Sequence, residues 1–487
     1  MATLQYSSLP FMMMKFLIYS SLLLSLISCF PNKTQALKNR KTNPQSHFHT
    51  LQISSLLPAS VCSPSTSPRK GQSTLELIHR HGPCSQQTTT PPQLSEILSA
   101  DQSRVDSIHA RLKPDSTINK LNFNNKNNKL NDSKADLPAI PGETFKTGNY
   151  IVSIGLGTPK NTLSLVFDTG SDLTWTQCQP CSDSCYQQRE PIFNPSKSSS
   201  YSNISCSADQ CSELPSPGCL SGTCVYSVQY GDGSFSVGFL GKDKLTVTPT
   251  DVFPDFLFGC GQSNKGLFGS TAGLIGLSRD NLSFVSQTAA KYGKYFSYCF
   301  PFVSSSTGHL AFGKNGGSKS KNVKFTPFAS SRIESLYFID IVYITVGGKK
   351  LAINESVFQI AGTVIDSGTV ITRLPPGAYG PMSAEFQRMM ENYPRAPAYS
   401  LLDTCYDFSN YTFVEIPKIE FGFSGDVNVD VADSGIIILV DSTVACLAFA
   451  GNDDGEQVGI FGNTQQKTFE VVYDVAGGKL GFGPGGC

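Results

Sequence analysis

The feature that most constrains this chain is a segment that occurs twice, about 200 residues apart. The first copy, LVFDTGSDLTW (Leu165–Trp175), matches the second, TVIDSGTVITR (Thr363–Arg373), as hydrophobic, hydrophobic, Asp, Thr or Ser, Gly, Ser or Thr. An apolar run that leads to a glycine follows each copy, AGLIGLS (Ala272–Ser278) and VGIFGN (Val458–Asn463). Asp168 and Gly276 are 108 residues apart, and Asp366 and Gly462 are 96 residues apart. Two copies of one plan predict two similar lobes.

Each copy places one carboxylate, Asp168 or Asp366, among apolar neighbours. A lone aspartate there is costly to bury and needs a partner, although Asp366 with Gly368 also fits a simple turn. If the lobes face each other about a pseudo-two-fold axis, the carboxylates meet and share one proton. One then acts as base and the other as acid toward a water. Gly170 and Gly368 let the backbone approach the carboxylates. The hydroxyls of Ser171 and Thr369 can donate hydrogen bonds that hold the carboxylates in place.

Histidine content limits the alternatives. Residues 137–487 contain one histidine, His309, so a Ser/His/Asp or Cys/His arrangement would have to use it. A histidine-rich metal site cannot be built, and neither H-E-x-x-H nor a Walker A loop occurs. The sequence therefore predicts no metal and no cofactor.

The body is predicted to be mainly β. Short apolar or alternating runs are separated by Gly, Pro, Asn and Asp turns, as in YIVSIGLG, CVYSVQYGDGS and TFEVVYDVAGGKLGFG. Two segments favour helix, 282–293 and 378–393. We therefore expect an all-β body of about 350 residues, divided into lobes at 137–330 and 331–487.

The amino-terminal region has a different character. Lys15 precedes the apolar run Phe16–Phe30, and small residues near Ala36 follow, which predicts a signal peptide over 1–36. A membrane anchor is the alternative, but the run is short and contains serines. Residues 37–136 are predicted to be a propeptide and linker with two structured pieces, Ser73–Ser85 and Asp101–Leu112.

Charge divides the chain at the same place. Residues 1–136 hold 15 Lys and Arg against 7 Asp and Glu, whereas residues 137–487 hold 23 against 31. The net charges of +8 and −8 indicate a removable basic cover on an acidic body. A solvated lysine-rich tail that contacts nothing is the alternative.

Cysteine and sequon patterns favour an oxidising compartment. Twelve of the 15 cysteines lie in the body, an even number that favours disulfides, although Cys178 and Cys181 also form a C-x-x-C of zinc-site type. The N-x-S/T acceptors after the leader are Asn131, Asn203, Asn281, Asn354 and Asn410. We expect a secreted glycoprotein.

From Gly148 to the carboxyl terminus the chain resembles the pepsin-type aspartic proteases. More narrowly it is similar to the secreted plant nepenthesin-like or CND41-like group. The residues that carry this resemblance are FDTGSDLTW, the cysteine-rich stretch from WTQCQPCSDSCY to SGTCVY, YGDGS and VIDSGT, and LELIHRHGPCS resembles a propeptide of that group. The resemblance implies a bilobal fold with pseudo-two-fold symmetry and a cleft between the lobes. For a secreted member of this plant group the expected compartment is the apoplast, with chloroplast or vacuole as alternatives.

The resemblance also implies residue roles. Asp168 and Asp366 become the catalytic pair, and Thr169 and Ser367 cross-link their loops. Tyr230 and Gly231 lie at the tip of a substrate-binding flap, with Trp175 as the partner of the tyrosine. Apart from the resemblance, the segment YGDGS itself predicts a hairpin turn that could act as a lid. The disulfide pairings implied are 178/181, 185/260, 206/224, 211/219, 299/487 and 405/446, formed by Cys178, Cys181, Cys185, Cys260, Cys206, Cys224, Cys211, Cys219, Cys299, Cys487, Cys405 and Cys446.

The implied activity is hydrolysis of internal peptide bonds next to bulky hydrophobic residues. Its partners would be protein or peptide substrates and its own propeptide, and the enzyme would be a monomer without a membrane anchor after signal removal. Two alternatives remain open, a catalytically inactive inhibitor or binding protein on the same fold and a plastid DNA-associated protease. The acidic body disfavours nucleic acid because it repels phosphate.

Overall fold

The structure, a computed structural model, describes residues 47–57, 60–64, 73–85, 93–112, 150–230, 233–266, 268–314, 320, 322–330 and 333–487. The predicted signal peptide, the linker around residue 125, the sequon at Asn131 and the flap residue Gly231 lie outside these ranges. The described residues belong to one compact unit that begins at His47. No helix in these ranges is long and apolar enough to cross a membrane.

Strands dominate the described ranges, as the sequence predicts. In chain order they are β1 (Phe48–Gln52), β2 (Thr74–His79), β3 (Tyr150–Leu156), β4 (Asn161–Asp168), β5 (Trp175–Gln177), β6 (Ser202–Asn203), β7 (Gly218–Leu220), β8 (Thr223–Gln229), β9 (Phe235–Thr248), β10 (Asp251–Lys265), β11 (Gly273–Gly276), β12 (Tyr295–Cys299), β13 (Thr307–Phe312), β14 (Lys324–Pro327), β15 (Phe338–Ile339), β16 (Ile341–Val346), β17 (Lys349–Lys350), β18 (Thr363–Ile365), β19 (Thr372–Leu374), β20 (Arg395–Ala396), β21 (Cys405–Asp407), β22 (Phe413–Pro417), β23 (Ile419–Phe423), β24 (Val427–Asp430), β25 (Ile437–Leu439), β26 (Val444–Leu447), β27 (Phe449–Gly451), β28 (Gly459–Phe461), β29 (Glu470–Asp474) and β30 (Lys479–Gly483).

Helices are few and mostly short. They are α1 (Leu94–Leu112), α2 (Asp209–Ser212), α3 (Phe284–Gln287), α4 (Ala289–Tyr292), α5 (Ser356–Ala361), α6 (Pro376–Met389) and α7 (Asp433–Ile436), with 3₁₀ turns at Ile53–Leu56, Pro83–Ser85 and Pro195–Lys197. Both predicted helical segments of the body are confirmed, the first as the pair α3 and α4 and the second as α6. The segment at 101–112 is the carboxyl-terminal part of α1.

A 15-stranded sheet organises the first half of the body, and three smaller sheets organise the second half. The final strands, β29 and β30, join the large sheet beside β12 and β14. The sequence repeat is also a structural repeat, because β4 runs parallel to β11 and β18 runs parallel to β28. Each aspartate therefore stands at the carboxyl end of a buried strand, beside the apolar-glycine strand of its own copy.

The packing that fixes these strands is aromatic. Phe167, one residue before Asp168, lies edge-on to Tyr298 at 5.0 Å and to Phe300 at 6.0 Å between ring centroids. Tyr150 stacks on Phe300 at 4.1 Å. All four rings are almost fully buried. Such packing leaves the first strand of the repeat little freedom, so the carboxylate at its end is held by a rigid element.

The amino-terminal residues 47–112, here named the cover segment, contact both halves of the body. Strand β2 lies inside the large sheet between β13 and β3. Strand β1 pairs with β22 of the second half. Helix α1 buries Leu98 against Val370 and Ile371, and buries Val105 and Ile108 in a separate apolar cluster. The predicted alternative of a tail that contacts nothing therefore does not hold for these residues, whereas the lysine-rich stretch at 119–134 lies outside the described residues.

All twelve body cysteines form disulfides, which confirms the predicted bridges as a class. The pairings 299/487 and 405/446 are confirmed. The other four are wrong, because the chain pairs Cys178 with Cys260, Cys181 with Cys185, Cys206 with Cys219 and Cys211 with Cys224. The error has a topological reason: β5 and β10 are parallel neighbours, so Cys178, which directly follows β5, lies close enough to Cys260 of β10 to form a disulfide.

Two further findings concern the cysteines. Both sulfurs of the C-x-x-C are in disulfides, so they cannot serve as zinc thiolates. The cover segment has its own bridge, Cys62–Cys84, which the sequence analysis did not assign.

Candidate active site

The two repeated aspartates lie at the centre of the molecule. Strand β4 ends at Asp168, and β18 ends one residue before Asp366. Both residues are fully buried. Each carboxylate accepts the backbone N–H of the glycine two residues later, Gly170 at 3.0 Å and Gly368 at 3.1 Å. The strands therefore present the carboxylates, and the turns that follow orient them.

The hydroxyls three residues after each aspartate complete this arrangement. Ser171 Oγ donates to Asp168 Oδ2, and Thr369 Oγ1 donates to Asp366 Oδ2 at 2.6 Å. The two sites are thus built alike, each from one amide and one hydroxyl donor. Hydrogen bonds to the charged form of a carboxylate favour that form.

The loops also lock to each other. The Thr169 N–H donates to Ser367 Oγ, and the Ser367 N–H donates to Thr169 Oγ1, both at 3.0 Å. All the atoms involved are buried. This reciprocal pair is the cross-link that the family resemblance implies for these two residues, and it fixes the separation of the carboxylates.

Glycine is required at both turns because the opposite loop approaches so closely. A Cβ on Gly170 would lie 2.8 Å from Asp366 Oδ1, and one on Gly368 would lie 2.7 Å from Asp168 Oδ1. Either contact is shorter than van der Waals separation allows. Each carboxylate therefore lies against the glycine of the other copy, which brings Asp168 and Asp366 together.

A residue that the sequence analysis did not assign lies between the two aspartates. Arg104 of α1 donates from Nη2 to Asp168 Oδ1 at 2.7 Å and from Nη1 to Asp168 Oδ2 at 3.2 Å. It donates from Nε to Asp366 Oδ2 at 2.9 Å and from Nη2 to Asp366 Oδ1 at 3.0 Å. The planar fork of a guanidinium suits such contact with two carboxylates. The guanidinium of the cover segment thus fills the space between the two carboxylates.

This cation changes the protonation expected from sequence. Burial alone would raise the pKa of Asp366, but the charge and hydrogen bonds of Arg104 outweigh burial and hold that pKa below its ordinary value. Burial likewise opposes the charge of Arg104, yet the two carboxylates raise its pKa well above the ordinary value. In this state the guanidinium of Arg104, and not a shared proton, compensates the charge of Asp366.

The sequence contained a signal for the cover but not for this residue. The charge asymmetry predicted a basic cover on an acidic body, and the spacing of 101–112 favoured a regular element, but residues 47–112 themselves hold only 5 Lys and Arg against 4 Asp and Glu. Several arginines and lysines fit that description equally, and only the docked helix distinguishes Arg104 from Arg111, whose Nη1 makes one 3.4 Å bond to the Gly170 carbonyl.

The predicted flap is a hairpin beside the dyad. Strands β8 and β9 pair in an antiparallel manner, and the Tyr230 N–H donates to the Ser234 carbonyl at 2.8 Å. Trp175 Nε1–H donates to Tyr230 Oη at 2.9 Å, and Trp175 is fully buried. Burial raises the pKa of Tyr230, so its phenol remains neutral. Trp175 and Tyr230 are therefore in contact, as the resemblance implies.

A cavity of about 640 Å³ adjoins Asp168 and Tyr230. Helix α1 forms one wall through Arg104 and Ile108. Much of the remaining lining is apolar, and includes Leu214, Val228, Phe268, Leu274 and Leu282. A cleft of this size and polarity can take a large apolar side chain next to the carboxylates.

One more ion pair joins the cover to the cleft. Asp101 Oδ2 accepts from Arg373 Nη2 at 3.0 Å, and the Asp101 carboxylate also accepts the backbone N–H groups of Val370 at 2.5 Å and Ile371 at 3.1 Å. Both charged side chains are almost fully buried. Burial raises the pKa of Asp101, against the opposing influence of Arg373.

Other candidate chemistries find no support at this place. His309 pairs with Glu470 at 2.9 Å between β13 and β29 and contacts no serine or cysteine nucleophile in the bonds described. Within the described ranges no group of three or more His, Cys, Asp and Glu side chains could hold a metal ion.

A bilobal, mainly β fold with two Asp-Thr/Ser-Gly loops locked together at its centre defines the class of pepsin-like aspartic proteases. The comparisons with known proteins agree. Family models described as Xylanase inhibitor N-terminal and Xylanase inhibitor C-terminal match residues 150–314 and 336–484. The chain belongs to the plant pepsin-like aspartic protease family.

Individual relatives carry this assignment. An aspartyl protease family protein of Arabidopsis thaliana is 53% identical over 451 residues, which cover 90% of this chain and 93% of the relative. Aspartic proteinase nepenthesin-2 of Nepenthes gracilis is 36% identical over 364 residues, covering 73% of this chain and 81% of the relative. The crystal structure of conglutin gamma from lupine seeds has a TM-score of 0.56 at 21% identity over 69% of this chain and 91% of that one, which supports the fold.

Proposed function

We propose that this protein is an aspartic endopeptidase made as an inactive precursor, in which Asp168 and Asp366 activate a water once the cover segment has left. The observation that carries the proposal is the guanidinium of Arg104, which reaches both carboxylates at once. The guanidinium contacts both carboxylates. It therefore occupies the position in which a water and a peptide carbonyl would also contact both carboxylates.

The chemistry follows from two carboxylates that share one proton. The ionised carboxylate removes a proton from the bound water, and the water oxygen attacks the peptide carbonyl carbon. The protonated carboxyl gives its proton to the carbonyl oxygen, and collapse of the resulting diol, with a proton to the nitrogen, breaks the C–N bond. No covalent intermediate forms. The cross-link through Thr169 and Ser367 holds the geometry during these transfers.

Acid is proposed to release the cover. The docked state holds the pKa of Asp366 below its ordinary value. The ionised carboxylate therefore stabilises docking fully at pH values above the ordinary pKa, and this stabilisation is lost as the pH falls through the lowered pKa. Asp101 acts in the opposite sense, because burial raises its pKa and docking therefore favours its protonated form. The Asp366 contribution is assigned the larger role because Arg104 donates two hydrogen bonds to Asp366 and outweighs the effect of burial there.

The substrate class proposed is a protein or peptide with a bulky hydrophobic residue next to the scissile bond. The apolar cavity beside Asp168 supports this preference. The flap hairpin would fold over an extended chain and exclude water.

Secretion, glycosylation and a monomeric state are proposed on narrower grounds. Seven disulfides in the described chain favour an oxidising compartment. Four of the five sequons, at Asn203, Asn281, Asn354 and Asn410, are exposed. A fusion of residues 1–45 to a fluorescent reporter tests the compartment, because an apoplastic signal supports secretion and a plastid or vacuolar signal contradicts it.

The experiment that tests the activity compares purified precursors across pH with a quenched peptide library. We expect Asp168→Asn and Asp366→Asn each to lower kcat by about 10²–10⁴-fold, the contribution of one acid or base. Asp255→Asn, at an aspartate whose side chain is 70% exposed, is the matched control and should retain activity. Undiminished cleavage by either dyad variant would overturn the assignment.

The name of the matching family models favours one second candidate, a protein that inhibits a glycoside hydrolase. A binding protein has no need of two carboxylates held by matched donors and blocked by an arginine, which favours the protease. Assaying xylanase with the wild-type protein and with Asp366→Asn separates the two. Equal xylanase inhibition by both, without peptide cleavage at any pH, would favour the inhibitor.

A further inference from the structure

Arg373 is a buried arginine that the proposed mechanism does not use. Its side chain is 1% exposed and lies on β19, in the second copy of the repeat. Nη1 donates to the Ile371 carbonyl at 2.8 Å. Nη2 donates to Asp101 Oδ2 at 3.0 Å and to Gln102 Oε1 at 3.4 Å. Both acceptors of Nη2 belong to the cover segment.

The surroundings of the Asp101 carboxylate form a built anion site. Two successive backbone N–H groups, those of Val370 and Ile371, converge on its oxygens together with the guanidinium. All three donors belong to the body, on the carboxyl-terminal side of Asp366. They therefore remain when the cover leaves, whereas the carboxylate that satisfies them departs.

Departure of the cover leaves Arg373 poorly compensated. The single hydrogen bond to Ile371 remains, and Nε is buried without a partner among the described residues. An arginine in a buried position needs an anion because the guanidinium remains charged at every relevant pH. Burial under the cover opposes the ionised form of Asp101, whereas Arg373 and the two N–H groups favour it. Once the cover has left, the burial lessens and these three donors favour another carboxylate over a neutral group.

We propose that these donors form a substrate subsite selective for a peptide that carries an aspartate or glutamate side chain near the scissile bond. The inference rests on the proposed function, since the cleft must be vacated and must take a peptide. In the precursor, Asp101 occupies this subsite as Arg104 occupies the dyad.

Spacing on α1 locates the acidic residue. Asp101 and Arg104 are three residues apart on a helix, which separates their Cβ atoms by about 5–6 Å. An extended peptide advances about 3.3 Å per residue. With the longer reach of the arginine, the selected side chain is expected roughly two or three residues from the scissile bond.

The test uses the protein freed of its cover and two peptide series that share one hydrophobic cleavage site. Each series places Glu or its isostere Gln at one position within four residues of the scissile bond, at about pH 5.5, where glutamate is ionised. We expect kcat/KM for Glu to exceed that for Gln by about tenfold or more at one position. Ratios within twofold at every position would overturn the proposal while leaving peptide hydrolysis intact.

Variants of Arg373 test whether this residue is the cause of the Glu-to-Gln ratio of kcat/KM. Arg373→Met should bring the Glu-to-Gln ratio toward one, and Arg373→Lys should keep part of it because the charge remains. Arg388→Met, at an arginine whose side chain is 62% exposed, is the matched control and should keep the full ratio. Thermal unfolding checks that each variant is folded. A ratio that persists in folded Arg373→Met contradicts the proposal.

A binding measurement separates this inference from the proposed function. Affinities of the Glu and Gln peptides are measured by calorimetry with the cover-free Asp366→Asn protein, which needs no turnover. Tighter binding of the Glu peptide by about tenfold supports the subsite even if no peptide is cleaved. Equal affinities overturn the subsite even if cleavage is efficient.

Discussion

Replacing Arg104 by methionine tests the proposal that this residue keeps the precursor inactive. Methionine keeps most of the length of the side chain but none of its charge or donors, so Arg104→Met removes four hydrogen bonds to two buried carboxylates. The rest of the cover stays attached, because β2 lies within the large sheet and Leu98 and Val105 remain buried. The change therefore weakens α1 locally without releasing the whole segment.

The magnitude follows from the burial of the ion pair. Removing one partner of a buried ion pair costs about 3–5 kcal/mol. The Arg104 side chain is 19% exposed while both carboxylates are within 1% of full burial. The carboxylates left behind recover part of the loss by sharing a proton and admitting water, so the lower limit of about 3 kcal/mol applies. At about 1.4 kcal/mol per tenfold, docking of α1 weakens by about 10²-fold.

The assay follows hydrolysis of a quenched peptide by the uncleaved precursor during the first minutes, before processing. Gel electrophoresis verifies that the cover is still covalently attached. We expect Arg104→Met to raise this initial rate by up to about 10²-fold over the wild-type precursor. Arg111→Met, on the same helix at an exposed residue with one long hydrogen bond, should stay within about twofold.

Two results would refute the reasoning. One is an Arg104→Met precursor that is as inactive as the wild type although folded, since another element would then block the dyad. The other is an equal gain in Arg111→Met, since general loss of positive charge would then explain activation. Arg104→Lys should give an intermediate rate, because an ammonium retains the charge but lacks the planar fork.

Three further outcomes are expected. Removal of the cover should accelerate as the pH falls below about 4, because the docked state holds the pKa of Asp366 below its ordinary value; processing fastest at neutral pH would contradict this. Tyr230→Phe should shift the emission of Trp175, the only tryptophan of the chain, and lower kcat/KM by about 3–10-fold, since a hydrogen bond of about 0.5–1.5 kcal/mol is lost; an unchanged spectrum would argue against the contact. Cys487→Ser should lower the free energy of unfolding by about 2–4 kcal/mol, because the bridge to Cys299 closes 188 residues; an unchanged calorimetric Tm would count against it.

Much of the fold was predictable because it depends on local chemistry that repeats. Alternation of apolar and polar residues marks the strands, and Gly, Asn and Asp mark the turns. The copies beginning at Leu165 and Thr363 predicted two lobes whose parallel pairs, β4 with β11 and β18 with β28, have the same form. Sequence also predicted the contact of Thr169 with Ser367, through the family resemblance.

Other features could not be read from the chain. Four disulfide pairings were wrong because the partner of a cysteine depends on which strands become neighbours, and six bridges admit many connectivities. The same limit hid the bridge Cys62–Cys84 and the pairing of Arg373 with Asp101, whose partners are separated by 22 and 272 residues.

The sequence by itself determined the class of protein, because a chain with one histidine in its body and two Asp-Thr/Ser-Gly loops has carboxylates as its candidate acid and base. Its charge distribution also predicted a basic cover on an acidic body. Only the tertiary structure decided which cation reaches the dyad. Net charge acts over a whole surface, whereas a hydrogen bond acts over about 3 Å and depends on one side chain, Arg104, being held there by a docked helix.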